Sequence, residues 1–207
     1  MATNVFVSFR ASDGLGYKEE LDKIFKEDIS VRNYSENEDR SNMSESTIQS
    51  YLYAKLKETS LTIIILTPDA VNYRKNWAGH YDDWMYDELK YSLDDRVDNR
   101  TNAALALYTP SAKDKLFTVS THACSICGEE SSVNSMSNFD NLVRENMMNV
   151  HSKYKKNKCD GIYDSMADSY ISLVSFDEFI KNYSFYIDAS IEKRLRLDNF
   201  KLVKRMA

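Results

Sequence analysis

LTIIILT, Leu61 to Thr67, is an unbroken run of apolar and β-branched residues closed by Pro68-Asp69. A strand with one solvated face alternates apolar and polar side chains; a run without polar interruption needs cover on both faces, which is the environment of a central parallel strand. Outward from it, AALALY, Ala103 to Tyr108, followed by Thr109-Pro110, reads as a second strand of the same buried type. NVFVSF, Asn4 to Phe9, is a third, and Ile29 to Tyr34 is a weaker one, interrupted by Arg32 and Asn33. YISLVSF, Tyr170 to Phe176, supplies the fifth.

Helical periodicity fills the intervals. Leu21, Ile24 and Phe25 mark a helix from Tyr17 to Lys26, after the polar turn Arg10 to Gly14. Ser44 is placed to cap a helix carrying Ile48, Tyr51, Leu52 and Leu56. In YDDWMYDELKYSL, Tyr81 to Leu93, the residues Met85, Leu89 and Leu93 stand four apart and form the core-facing stripe of a third helix. Phe139, Leu142, Val143, Met147 and Val150 are spaced for a helix over 138–155, and Phe179 to Leu195 for a long final helix at about 177–198. Ser111 to Ser137, rich in Ser and Thr, has no period and reads as an insertion or long loop. Alternation of strand and helix implies right-handed crossovers and an α/β fold, a flavodoxin-like sheet of five mainly parallel strands with helices on both faces. The expected organisation is a single domain over 1–207.

Composition excludes several classes. A chain of 207 residues with 43% hydrophobic residues can build one sizeable core. The net charge is -5, and YKKNK, Tyr154 to Lys158, is the longest basic block, so no nucleic-acid surface is expected. No apolar run reaches the ~18 residues of a membrane span, and no signal-peptide pattern opens the chain, so a cytoplasmic protein with no membrane partner is expected. Three cysteines, an odd number, fit a reducing compartment. His122, Cys124 and Cys127, with Cys159 or His151 as further donors, raise a zinc reading. The second closely spaced ligand pair of a structural zinc site is missing, however, so thiols buried in an insertion and no metal are the expectation.

Ligands of open parallel sheets bind beyond the carboxyl ends of the strands. The loop after the first strand, the loop after the second and the start of the helix after the third should therefore share one rim. Trp84 and Glu88, four apart on that helix, would face the same way. A carboxylate held between a core stripe and an aromatic is either a buried structural acid or a catalytic one.

With these residues in view, the chain resembles a TIR domain of the bacterial antiphage, Thoeris-type branch. VFVSFRASDG, Val5 to Gly14, is similar to the family's first strand and loop. SENEDRSN, Ser35 to Asn42, occupies the place of its variable BB loop. WMYDE, Trp84 to Glu88, matches the tryptophan and glutamate spacing of TIR enzymes that cleave NAD; Trp77, with Tyr81 four residues on, does not.

The resemblance implies Glu88 as the catalytic carboxylate, Trp84 as pocket wall or core, and Ser8, Phe9 and Arg10 lining the nucleotide site, with Asp39 nearby. Phe9 would stack and Arg10 would meet a phosphate. NAD would be substrate, with no cofactor. The product would be hydrolysed or cyclic ADP-ribose, and a cyclic product would act as a diffusible signal to an effector. The resemblance also implies self-association through 35–42 and an activator arising from phage infection. A non-catalytic TIR adaptor and an enzyme like a nucleoside deoxyribosyltransferase, with a glutamate nucleophile, are the alternatives.

Overall fold

The computed structural model describes residues 2–35, 44–95, 100–159 and 162–207. Five strands form one parallel sheet: β1 (Thr3–Ser8), β2 (Val31–Asn33), β3 (Leu61–Leu66), β4 (Ala103–Tyr108) and the last of the five, Ser172–Ser175, in the order β2-β1-β3-β4 and then that last strand at the edge. The flavodoxin-like reading holds. β3 lies at the centre, pairing Val5 to Leu61 on one side and Leu61 to Ala103 on the other, and all six of its residues are buried.

The period-2 alternation of a strand sends neighbouring side chains to opposite faces, and two cores result. Leu61, Ile63 and Ile65 join one with Leu105 and Leu107; Ile64 and Leu66 join the other with Ala104 and Ala106. Helix α1 (Ala11–Glu27) covers the first face through Leu21 and Phe25. α2 (Glu45–Lys57) packs beside α3 (Trp84–Leu93), and α3 covers the second face. The expected stripe of Met85, Leu89 and Leu93 is buried there. Thr62 Oγ1 on β3 and Ser92 Oγ on α3 lie 2.8 Å apart, and Ser92 also donates to the Glu88 carbonyl at 2.8 Å, which fixes α3 on the sheet one turn beyond Glu88.

Four expectations need correction. α1 begins at Ala11, not Tyr17: Gly14 and Gly16 lower helix propensity, but a Cβ at Gly14 would stand 3.3 Å from Phe9 Cβ, so glycine is what lets the helix start against the end of β1. Residues 111–137 are not a structureless insertion. They hold a 3₁₀ turn, the short α4 (Lys113–Leu116), and an antiparallel hairpin of β5 (Thr118–Ala123) and β6 (Glu130–Ser135), whose largely exposed strands leave no apolar period to read.

Of 138–155 only α5 (Leu142–Glu145) is helical. Asn141 caps it through Val143 N–H, Asn146 closes it by donating to the Leu142 carbonyl, and Met148 at φ 49° turns the chain away. The segment after α5 pairs instead with the C-terminal tail, Val150 opposite Phe200. Finally, the edge strand β7 (Ser172–Ser175) runs directly into α6 (Phe176–Lys181), and the long helix expected there is broken at Asn182 before α7 (Tyr183–Arg194). The chain after Asn199 also packs: Phe200, Leu202 and Val203 join the core cluster that holds Met85, Leu89 and Leu93. Among the described residues no helix is long and apolar enough to cross a membrane.

Tyr170, ahead of β7, is fully buried and donates from its hydroxyl to the Asn102 carbonyl at 2.6 Å, tying the entry of β7 to the entry of β4. Tyr170→Phe leaves that carbonyl without its buried donor and should cost about 1–3 kcal/mol. In urea denaturation the midpoint should fall with an unchanged slope.

Candidate functional site

The carboxyl ends of β1 and β3 meet at the point where strand order reverses, and their loops are tied together there. Asp13, in the first turn of α1, accepts from Thr67 Oγ1 at 2.5 Å and from Asp69 N–H at 2.9 Å. Ser12 donates to Asp69 at 3.1 Å.

A second tie runs from β1 to α3. Asp83 caps α3 by accepting from Met85 N–H at 3.0 Å, and its other oxygen accepts from Arg74 N–H at 2.8 Å and from the Arg10 guanidinium at 2.5 Å. Both side chains of that ion pair are buried, at 9% exposure for Arg10 and 1% for Asp83. Asp83 escaped the sequence reading. Its signal was an Asp immediately before the first helical residue, the preferred N-cap. Arg10, expected on a phosphate, is committed to this carboxylate.

Glu88 comes one turn into α3 and is 8% exposed. Alternation along β1 sends Val5 and Val7 to the α1 side and Phe6 and Ser8 to the other, where Glu88 lies. Glu88 lines a cavity of about 160 Å³ together with Phe6, Phe9, Tyr34, Tyr51 and Lys55. Burial pushes its carboxyl up from an ordinary 4.5 to about 8. The Ser8 hydroxyl opposes that rise, and the charges of Asp83 and Asp87 add to it. Ser8 Oγ is itself buried without a completed hydrogen bond, so it offers an unused polar atom beside the carboxylate.

The sequence-predicted residues therefore divide. Ser8, Phe9 and Glu88 stand together, and Arg10 stands behind them holding α3 in place. Trp84 is 37% exposed, so its reading as core fails. It lines a neighbouring depression of about 260 Å³ with Ser46, Gln49, Asp83 and Asp87. Asp39 lies outside the described residues, as does all of 35–42 except Ser35. Lys55, from α2, was not singled out in the sequence, and Tyr51 was read there only as part of the apolar side of that helix; the Lys55 ammonium lies 5.4 Å from the Tyr51 ring centre, at the cavity wall. The three cysteines were expected to be buried thiols, but only Cys124 is buried, with Cys127 exposed and Cys159 intermediate. No protein-family model matches the chain.

Two stability measurements test this geometry. Asp83→Asn keeps an acceptor for the cap but leaves Arg10 buried without its counter-charge, and should cost about 3–5 kcal/mol; adding Arg10→Met should recover part of the loss in urea titrations. Glu88 in the folded chain keeps its proton at pH values where the unfolded chain has released it. That contribution is fully present below about pH 4.5 and is lost as pH rises through about 8. Glu88→Gln should flatten the fall in unfolding free energy between those limits and be the more stable form at pH 9.

Proposed function

We propose that the chain is a TIR-like enzyme that cleaves NAD at the bond between nicotinamide and ribose, with Glu88 as the catalytic carboxylate. The observation that carries this reading is a buried carboxylate, raised to about 8, lining a small cavity beside the switch point of a parallel sheet. A carboxylate perturbed by burial and lining a cleft is a candidate functional group, and ligands of such sheets bind at that rim. A cavity of about 160 Å³ has room for one ring, since an engineered cavity of ~150 Å³ takes benzene. The ribose or the nicotinamide would enter it, and the remainder of the dinucleotide would lie along the rim. With Arg10 engaged by Asp83, Lys55 is, among the described residues, the cation that lines the cavity itself and is the better placed to meet a phosphate.

In the reaction, the C1′–N bond breaks and its electron pair leaves on the nicotinamide nitrogen, which becomes neutral. The ribose is left as an oxocarbenium-like centre, stabilised by the ionised carboxylate of Glu88. Water then adds at C1′ and loses a proton to solvent, giving ADP-ribose; attack by another nucleophilic atom of the same molecule gives a cyclic isomer instead. The leaving group is already cationic, so a single carboxylate suffices. The same cation, brought beside Glu88, favours loss of its proton. Signalling through a cyclic product in antiphage defence is the role that the resemblance adds to this chemistry.

Nicotinamide release from NAD by the purified chain, alone and with lysate of phage-infected cells as trigger, tests the reading. The value of kcat/KM should rise about tenfold per pH unit and level off above about pH 8, because the protonated carboxyl is inactive. Glu88→Gln should lose 10²–10³-fold or more. Full activity in that variant removes Glu88 from the chemistry, no release under either condition favours an adaptor, and exchange of nucleobases without NAD turnover favours a transferase.

A further inference from the structure

We propose that Cys124, Cys127 and Cys159 form a zinc site that staples the β5–β6 hairpin to the segment leading into β7, independent of the Glu88 cavity. Their three sulfur atoms lie within 4.8 Å of one another, although Cys159 is separated from Cys127 by a long stretch of chain. The Cys127 and Cys159 sulfurs are 3.8 Å apart. Two ligands on a tetrahedral zinc, with Zn–S of ~2.3 Å, stand about 3.8 Å apart. A disulfide needs about 2.05 Å and would leave the third thiol over.

The turn between the first two cysteines is shaped for a metal. Ile126 N–H points at Cys124 Sγ at 3.4 Å, a contact that steadies a thiolate ligand. Gly128, at φ 76°, donates to the Cys124 carbonyl at 2.8 Å, and Cys124 N–H closes the hairpin on the Glu129 carbonyl at 2.9 Å. The left-handed glycine directly after the second cysteine lets the chain double back so that both sulfurs face one point.

The surroundings supply the need for a cross-link. Among the described residues β5 and β6 pair only with each other, and most of their side chains are exposed, Val119 among them. A two-stranded hairpin without a core is marginally stable in water. Soft thiolates select zinc, Cu(I) or iron–sulfur clusters, and the C-x-x-C turn with one distant cysteine suits a single tetrahedral ion. Among the described residues no fourth His, Cys or carboxylate joins the three within that distance. The fourth position is filled by water or by a donor that moves in. His122 stands two residues before Cys124 on β5, and its Nε2 is buried without a hydrogen-bond partner, which makes it the first donor to test.

The test uses the full chain, purified under reducing conditions without chelator. Elemental analysis should find zinc equimolar with the chain, and replacement by Co(II) should give intense thiolate-to-cobalt charge-transfer absorption. Each of Cys124→Ser, Cys127→Ser and Cys159→Ser should weaken binding at least 100-fold, measured by competition with a chromogenic chelator. His122→Ala should leave zinc bound by the three thiolates, whereas loss of all zinc from that variant while Cys159→Ser retains it would overturn the three-sulfur site. Stripping the wild-type ion should raise hydrogen exchange in β5 and β6 while leaving β1 and β3 protected, a readout that does not depend on any variant folding. Three freely titrating thiols with no zinc taken up from an equimolar solution would overturn the proposal. So would a Cys127–Cys159 disulfide in the purified chain, or bound iron or copper in place of zinc.

Discussion

The constraint on which the architecture rests is that β3 has no solvated face. Six consecutive buried residues must be covered from both sides, so the chain has to leave each strand by a helix and return parallel, first on one face and then on the other. Parallel return is what gathers the carboxyl ends of β1, β2 and β3 at one rim. The placement of Glu88 follows from the same requirement. α3 must lay Met85, Leu89 and Leu93 on Ile64 and Leu66, and a residue one position ahead of Leu89 then falls on the flank that looks toward β1.

Hydrophobic burial sets which face α3 presents but only loosely where it begins, since an apolar stripe tolerates sliding along the sheet. Two polar devices remove that freedom. Asp83 gathers a helix cap, a loop amide and the Arg10 guanidinium on one carboxylate, and the pair of Thr62 and Ser92 pins the far end. A buried ion pair recovers its desolvation cost only when the remaining lone pairs and protons are also satisfied; Asp83 meets that condition, but Arg10 Nε is buried without a partner. The pair therefore gives position more than net stability: it sets the distance between β1 and the start of α3, and so between Ser8 and Glu88.

How much of this was legible follows from the kind of signal each part leaves. β3, β4 and the stripe of α3 are governed by burial, which writes itself as period 2 or period 3.6, and these were readable. The hairpin β5–β6 is held by backbone pairing between largely exposed strands and leaves no period. Residues 138–155 had the correct buried positions at helical spacing, yet Asn141 and Asn146 supply side-chain hydrogen bonds that end the helix after one turn. Apolar spacing alone cannot see such competition. Within the site, Glu88 came from helix spacing and the rim rule and Ser8 and Phe9 from the resemblance alone, whereas the partner of Arg10, distant in sequence, required the folded chain. Cys159 stood beside His151 as an alternative donor, and only the folded chain shows that it is Cys159 whose sulfur meets Cys124 and Cys127.

Asp83 and Glu88 start from the same chemistry on one helix and end in opposite conditions. Asp83 is surrounded by donors on both oxygens and faces a guanidinium. Glu88 is buried beside the Ser8 hydroxyl, and burial keeps a proton on it near neutrality. Nothing in packing requires this: a glutamine or leucine at position 88 would spare the desolvation of a carboxylate while α3 kept its stripe and its cap. Two acids with such different partners do different work: Asp83 is held by three donors, Glu88 lines a cavity. Here the division assigns position to Asp83 and leaves Glu88 with an unsatisfied demand for positive charge beside a ring-sized cavity, a demand that an oxocarbenium-like ribose would meet.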